Sequence, residues 1–363
     1  MIPLRLPIDQ LPLEVATVTR LRGFDRSDSP HALDAFLISR DDAVAEYDLC
    51  GMSLRVNVGL AEELENDVLL LLPGQKSAHR LIRAGSKHNT FLVTERCDQL
   101  CVMCSQPPKT RHVDLFACFE EAAMLAPRDA YLGISGGEPT LFKDQLFALM
   151  ERVLTARPDL RFHVLTNGQH FEPSDTEIIR ALGNDRVLWG IPLYSPFPDR
   201  HDQIVAKQGA YVRLMRSLAI LANAGAAIEL RTVVLDTNVE GLPELARSLS
   251  IDMPFISIWA IMQLEDIGYG RKNWRQLFCD TSISFGPIAK AVDIAEARGL
   301  TALLYNFPLC TVPARYRLFA PATISDWKRK FLDNCKLCSA KSSCGGFFEW
   351  YRETEGFRGV RAI

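Results

Sequence analysis

The sequence predicts an α/β protein: a partial (β/α)6 barrel with a small β-rich domain before it and a cysteine-rich domain after it. Three observations carry that reading. From Thr90 onward, apolar strand-like runs alternate with amphipathic helical stretches through six repeats. Residues 1–85 lack this rhythm and instead show short apolar runs broken by polar turns. Beyond about residue 300 the alternation stops, and Cys, Trp and Phe concentrate in a tail containing CKLCSAKSSCGGFFEWY.

In the N-terminal part the runs are AFLIS, MSLRVNV and DVLLLLPG, with a helical turn expected only around Ala61 to Asn66. The barrel strands are TFLVT, AYLGIS, RFHVLT, VLWGIPLY, AIELRTVVL and FISIWAIM. Helices are expected between them, among others Asp144–Ala156, Tyr211–Ala224 and Leu242–Leu249. Parallel neighbours need crossover connections, so six such repeats imply a parallel sheet that curls toward a barrel. Chemistry in barrels of this kind gathers at the C-terminal ends of the strands. The domains expected are therefore 1–85, 86–300 and 301–363.

The chain has 363 residues, 48% hydrophobic and 23% charged, which suits an ordinary globular protein. A formal net charge of −3 gives no electrostatic case for nucleic acid or an anionic membrane. The segment MIPLRLPIDQLPLEV has no apolar h-region or small-residue cleavage site, and no run is apolar enough to span a bilayer. The expected location is cytoplasmic. Ten cysteines in a reducing compartment point to metal rather than to disulfides.

TFLVT runs directly into ERCDQLCVMCSQPP, which spaces Cys97, Cys101 and Cys104 as CxxxCxxC. Three thiolates on one short loop suit a single iron–sulfur cubane and leave one iron without a protein donor. Zinc is the alternative. It usually takes four ligands in paired CxxC spacing, which this loop does not offer. Further along, strand ends carry Gly136-Gly137-Glu138, then Thr166-Asn167-Gly168, then Ser195, and Arg231 lies within the fifth strand. Taken alone these are a Gly-rich turn, a turn asparagine, a turn serine and an arginine that needs an anion if it points inward.

CxxxCxxC after the first barrel strand resembles the signature of the radical S-adenosylmethionine (SAM) superfamily. The resemblance implies a [4Fe–4S] cluster on Cys97, Cys101 and Cys104 that binds SAM and cleaves it reductively to a 5′-deoxyadenosyl radical. It implies that Gly136, Gly137 and Glu138 hold the SAM amino group. Asn167 would contact the nucleoside or merely shape its turn, Ser195 would meet the ribose, and Arg231 would meet the SAM carboxylate. The family commonly has an aromatic residue before the third cysteine, touching adenine. Met103 stands there in this chain, and a thioether packs on a purine in its place.

Cys335-x2-Cys338-x5-Cys344, with Cys310 as the best fourth ligand, offers four thiolates for a second [4Fe–4S] cluster or for zinc. The spacing resembles the SPASM and twitch auxiliary domains of many radical SAM enzymes. Phe348 occupies the position where the longer version continues with cysteine, so one auxiliary cluster is expected rather than two. Cys50, Cys118 and Cys279 have no motif partners and are expected to be buried structural residues. His88, His112, His163 and His201 show no metal spacing.

The stretches SKHNTFLVTERCDQLCVMCSQPP, YNFPLC, SDWKRKF and CGGFF are similar to the radical SAM maturases of the His-Xaa-Ser system, C-type. That resemblance implies a ribosomally made peptide substrate, a second radical SAM maturase as partner, and an electron donor such as flavodoxin or ferredoxin. The N-terminal region is then a candidate leader-peptide or partner-binding module. A radical SAM enzyme acting on a small molecule or RNA would keep every motif. A zinc-binding interaction protein is the non-enzymatic alternative.

Overall fold

The structure is a computed structural model and describes residues 2–24, 31–59 and 62–363. Its first part is a sheet of seven strands: β1 (Arg5–Pro7), β2 (Thr17–Arg22), β3 (Asp34–Arg40), β4 (Val44–Leu49), β5 (Met52–Asn57), β6 (Val68–Leu71) and β7 (Ser77–Ile82). The strand order is β1-β7-β6-β2-β3-β4-β5, and a bridge between Ile8 and Val56 joins its two ends. Only β2 and β3 run parallel. The run VLLL of β6 is buried at every position, because the strand is covered on both faces. Leu69 and Leu71 face the core inside this sheet, whereas Val68 and Leu70 join the core of the main domain. Of the helical turn expected around Ala61 to Asn66, Ala61 lies outside the described residues. Glu65 and Asn66 make a simple turn, with Asn66 at a φ of 63°.

The main domain is a sheet of seven strands, all parallel and in sequence order: β8 (Asn89–Thr94), β9 (Tyr131–Gly136), β10 (Arg161–Leu165), β11 (Val187–Pro192), β12 (Ala227–Val233), β13 (Ile258–Met262) and β14 (Ala302–Tyr305). The crossovers hold α1 (Phe116–Met124), α2 (Lys143–Ala156), α3 (Thr176–Leu182), α4 (Pro198–Val205), α5 (Ala210–Ala224) and α6 (Leu242–Asp252). Three more, α7 (Gly268–Lys272), α8 (Trp274–Leu277) and α9 (Gly286–Ala297), lie between β13 and β14. The six expected strands are therefore joined by a seventh, beyond the residue at which the sequence rhythm ended the barrel. ALLY is four residues long and sits among turns, so its pairing with β13 is a tertiary event that periodicity does not reveal.

Alternate residues divide the sheet. Phe162, Val164, Trp189, Ile191, Ile228 and Leu230 are buried in the core against the helices. The residues between them, including His163, Gly190, Glu229 and Arg231, face the lumen. Trp189 is 1% exposed and meets Phe171 and Phe147 edge-on, with centroids 5.2 and 6.4 Å away. Trp189→Ala should lower unfolding stability by about 3–5 kcal/mol, read from urea midpoints.

The tail after Tyr305 folds back over the sheet as 3-10 turns and one short antiparallel pair, β15 (Arg329–Lys330) with β16 (Phe347–Phe348). Arg83 at the end of the first sheet makes a double hydrogen bond to Asp326 of the tail, at 2.7 and 3.0 Å. Among the described residues no helix is long and apolar enough to cross a membrane.

Candidate active site

The loop bearing Cys97, Cys101 and Cys104 leaves the C-terminal end of β8. Its root is fixed by the end of β9. Gly137 N–H donates to the Thr94 carbonyl at 2.8 Å, and Glu138 N–H to the Arg96 carbonyl at 2.7 Å. A Cβ on Gly136 would overlap the Thr94 carbonyl, and one on Gly137 the Arg96 carbonyl. Two glycines are therefore needed so that one strand end can lie against the other. Gly137→Ala should displace the cysteine loop and lower its iron content on reconstitution, measured by metal analysis beside the melting temperature. The outer part of the loop rests on the end of α4 through Leu100 N–H to Val205 O (3.2 Å) and Val102 N–H to Ile204 O (2.9 Å).

All three thiols are part-buried. Burial pushes each upward, Cys97 to about 11, and Cys97 and Cys101 are raised further by the charge of neighbouring thiols. Thiolate is the metal-binding form, so a cation must supply the stabilisation that the protein withholds. Among the described residues no three His, Cys, Asp or Glu side chains converge tightly enough for one metal ion. Three soft thiols on one loop are a ligand set for an iron–sulfur cubane.

Glu138 has no exposed surface. One carboxylate oxygen accepts from Thr140 N–H (2.8 Å), Thr140 Oγ1 (2.5 Å) and Thr166 Oγ1 (2.6 Å); the other accepts from Asn167 N–H (2.5 Å). Burial pushes its carboxyl up, and these four donors pull against that shift. The sequence reading gave this carboxylate directly to an ammonium ligand. Within the chain, the carboxylate locks the end of β9 to the end of β10. Asn167 carries the lock onward: its Nδ2 donates to Asp98 at 2.8 Å and lies 3.8 Å from Cys97 Sγ. Asp98 also receives Lys207 and stands 3.2 Å from His170 Nε2. Burial works against its ionisation, but His170, Lys207 and Asn167 outweigh it and hold the carboxyl well below the usual range.

The lumen holds a second polar cluster. Arg231 pairs with Glu229, whose side chain is 2% exposed. His163 Nε2 lies 3.3 Å from the same carboxylate, and Tyr305 donates to its other oxygen at 3.1 Å. Arg231 thus faces inward, and its anionic partner within the chain is Glu229. Burial raises the Glu229 carboxyl, yet His163 and Arg231 overcome it and hold it at about 2. Its folded value lies below its ordinary one, so its stabilisation is fully present above about pH 4.5 and fades as pH falls toward 2. Glu229→Gln should cost on the order of 3 kcal/mol at neutral pH and converge with wild type in acid, read from urea midpoints against pH.

Two further expected site residues have partners within the chain. Ser195 is buried, and its Oγ accepts from Phe197 N–H at 3.1 Å, so it caps its own turn. Met103 is 6% exposed and packs with Tyr194, Ile204, Leu264 and Trp274, which leaves little of the thioether for a purine.

Residues 91–249, which include the cysteine loop, the Glu138 lock and most of the lumen cluster, match the Radical SAM superfamily model. The PqqA peptide cyclase of Granulibacter bethesdensis is 22% identical over 249 residues, covering 66% of this chain. The match spans 63% of that relative's length. Streptococcus suis SuiB bound to S-adenosylmethionine superposes with a TM-score of 0.50 at 14% identity, over 61% of this chain and 51% of that one. SuiB bound to its precursor peptide SuiA gives 0.50 at 15% identity, over 61% and 49%. These structural likenesses show the shared fold.

Outside the matched residues, the tail brings its motif cysteines together. Cys344 Sγ accepts from Leu309 N–H (3.4 Å) and Gly346 N–H (3.3 Å), beside Cys310 in sequence. Cys338 N–H donates to the Cys335 carbonyl at 3.4 Å. Burial raises the Cys310 and Cys335 thiols, and the nearness of Cys344 raises both further. Four thiols are a ligand set for an iron–sulfur cubane or for zinc. Cys118 and Cys279 are buried as expected, but Cys50 is exposed in the tight turn after β4, at a φ of 51°.

Proposed function

We propose that this chain is a radical SAM peptide maturase acting on a ribosomally made peptide of the His-Xaa-Ser type. The observation that carries the reading is the placement of Cys97, Cys101 and Cys104 on a braced loop at the C-terminal rim of an all-parallel sheet, above a lumen lined by His163, Glu229, Arg231 and Tyr305. When bound, the cluster and SAM supply a one-electron cleavage that generates a 5′-deoxyadenosyl radical for hydrogen abstraction. The protein's share is to hold and shield them. Cys97, Cys101 and Cys104 ligate the cluster, Glu138 and Asn167 hold the loop over the rim, and Arg231 presents positive charge to a carboxylate. Cys310, Cys335, Cys338 and Cys344 would hold an auxiliary cluster that accepts the electron left on the product or binds substrate. A second maturase and a flavodoxin or ferredoxin would complete the system.

The peptide reading is supported by the likeness to a peptide cyclase and by the precursor peptide bound to SuiB, a protein of the same fold. The test is an anaerobic incubation of iron-loaded protein with SAM, dithionite and a synthetic peptide of His-Xaa-Ser repeats. Expected are 5′-deoxyadenosine and a SAM-dependent change in peptide mass. Deoxyadenosine with an unchanged peptide would move the substrate to a small molecule or RNA. No deoxyadenosine from iron-loaded protein would end the radical reading.

A further inference from the structure

We propose that Asp266 is a positioning residue that transmits the set of the C-terminal cysteine site to the Cys97–Cys104 loop. Residues 263–274, which follow β13, touch both. At the loop end, Tyr269 N–H donates to the Cys104 carbonyl at 2.8 Å, and Asn273 Nδ2 to the Val102 carbonyl at 2.7 Å. Gly268 has a φ of 59°, and a Cβ there would lie 2.5 Å from the Cys104 carbonyl and 2.6 Å from that of Ser105. The segment therefore lies directly against the backbone that carries the third cysteine.

At the tail end, Asp266 is 2% exposed and accepts a two-pronged bond from Arg352, at 2.5 and 2.9 Å. Arg271 Nε donates to the Asp266 carbonyl at 2.9 Å, and Trp274 Nε1 to the Glu355 carbonyl at 2.7 Å. Arg352 follows Tyr351, which packs with Leu332 and Phe347 in a cluster that Cys310 and Cys335 flank. Lys330 ties the Tyr351 carbonyl at 2.9 Å. A path thus runs from the cluster that Cys335 flanks through Tyr351, Arg352 and Asp266, and along the segment to Tyr269 at the Cys104 carbonyl.

A buried carboxylate gripped by a planar guanidinium is a directional joint; without Arg352, Asp266 keeps, among the described residues, only the longer single bond from Arg271 Nε at 3.3 Å. Fixing the tail thiols fixes Arg352. Arg352 holds Asp266, and the segment then holds the loop. The proposal rests on the reading that both thiol sets bind metal groups, but its test does not need turnover.

Amide hydrogen exchange would be followed by mass spectrometry in metal-free and in iron-loaded full-length protein. Arg352→Ala should speed exchange of residues 97–104 by about tenfold. A Cys335→Ala/Cys338→Ala variant should do the same in loaded protein, and combining the two should add nothing further. Arg352→Lys, which keeps the charge but not the fork, should give an intermediate rate. The low-temperature paramagnetic signal of the reduced loop cluster should shift in the same order. Unchanged exchange at 97–104 in a folded Arg352→Ala protein would overturn the proposal. If Arg352→Ala unfolds the tail, Arg352→Lys decides: graded acceleration upholds the joint, and a wild-type rate overturns it. A protein that fails to cleave SAM yet shows this exchange pattern would refute the proposed function and leave the joint standing.

Discussion

A Cys97→Ala/Cys101→Ala/Cys104→Ala variant, purified without oxygen and reconstituted, is expected to hold about four irons where wild type holds about eight. It should form no 5′-deoxyadenosine above background. The effect is all-or-none because nothing substitutes for the three thiols. Glu138 is sealed by four donors, and Asp98 is engaged by Asn167, Lys207 and His170, so neither can supply the missing ligands. The four irons that remain would belong to Cys310, Cys335, Cys338 and Cys344. Wild type with about four irons, falling to none in the variant and accompanied by zinc, would keep the radical site and make the tail site structural. Zinc alone, under careful exclusion of oxygen, would remove the basis for the proposed chemistry. Iron, sulfide and zinc counts per chain decide among these outcomes before any substrate is known.

What the sequence made legible is what local pattern controls. Six strands could be drawn because each is an apolar run followed by an amphipathic helix, and α2, α5 and α6 began within a residue of their expected starts. The cysteine loop was legible because three soft ligands at fixed spacing have few other uses. β14 was not, because four residues carry no period of their own. The closure of the N-terminal sheet at Ile8 and Val56 was also hidden, since it depends on pairing between segments far apart in sequence.

Within the site, residue types were easier to read than their partners. Arg231 announced that it needed an anion, and the anion stood two residues earlier on the same strand face, where Glu229 could have been found from the period of two. Asp98 lay inside the motif itself, but nothing local says that Asn167, His170 and Lys207 converge on it from β10 and from the turn after α4. Ser195 and Met103 have local partners that their spacing did not announce: one caps its own turn and one packs in a core cluster. The two glycines before Glu138 have a steric reason that the sequence does not show: the Thr94 and Arg96 carbonyls occupy the space a side chain would need.

Glu138 is where this distinction has the largest consequence. If its carboxylate served only to contact a ligand, Glu138→Gln would weaken SAM binding and leave the apoprotein unharmed. The geometry requires otherwise. All four partners are donors, so only a group that accepts at both ends fits. A glutamine can accept from the two threonines at one end, but its NH2 then faces the Asn167 N–H; turned over, it sets its NH2 against the Thr140 N–H. Glu138→Gln should therefore destabilise the metal-free protein by about 1–3 kcal/mol, and Glu138→Ala, which abandons all four, by about 3–5 kcal/mol. Asn167 would lose its anchor, and with it the bond to Asp98 beside Cys97, so iron uptake by the loop should fall along with stability. Thermal unfolding and iron counts on the two variants check this. Apoprotein as stable as wild type, with a loss confined to SAM affinity, would return the carboxylate to the ligand and refute the lock.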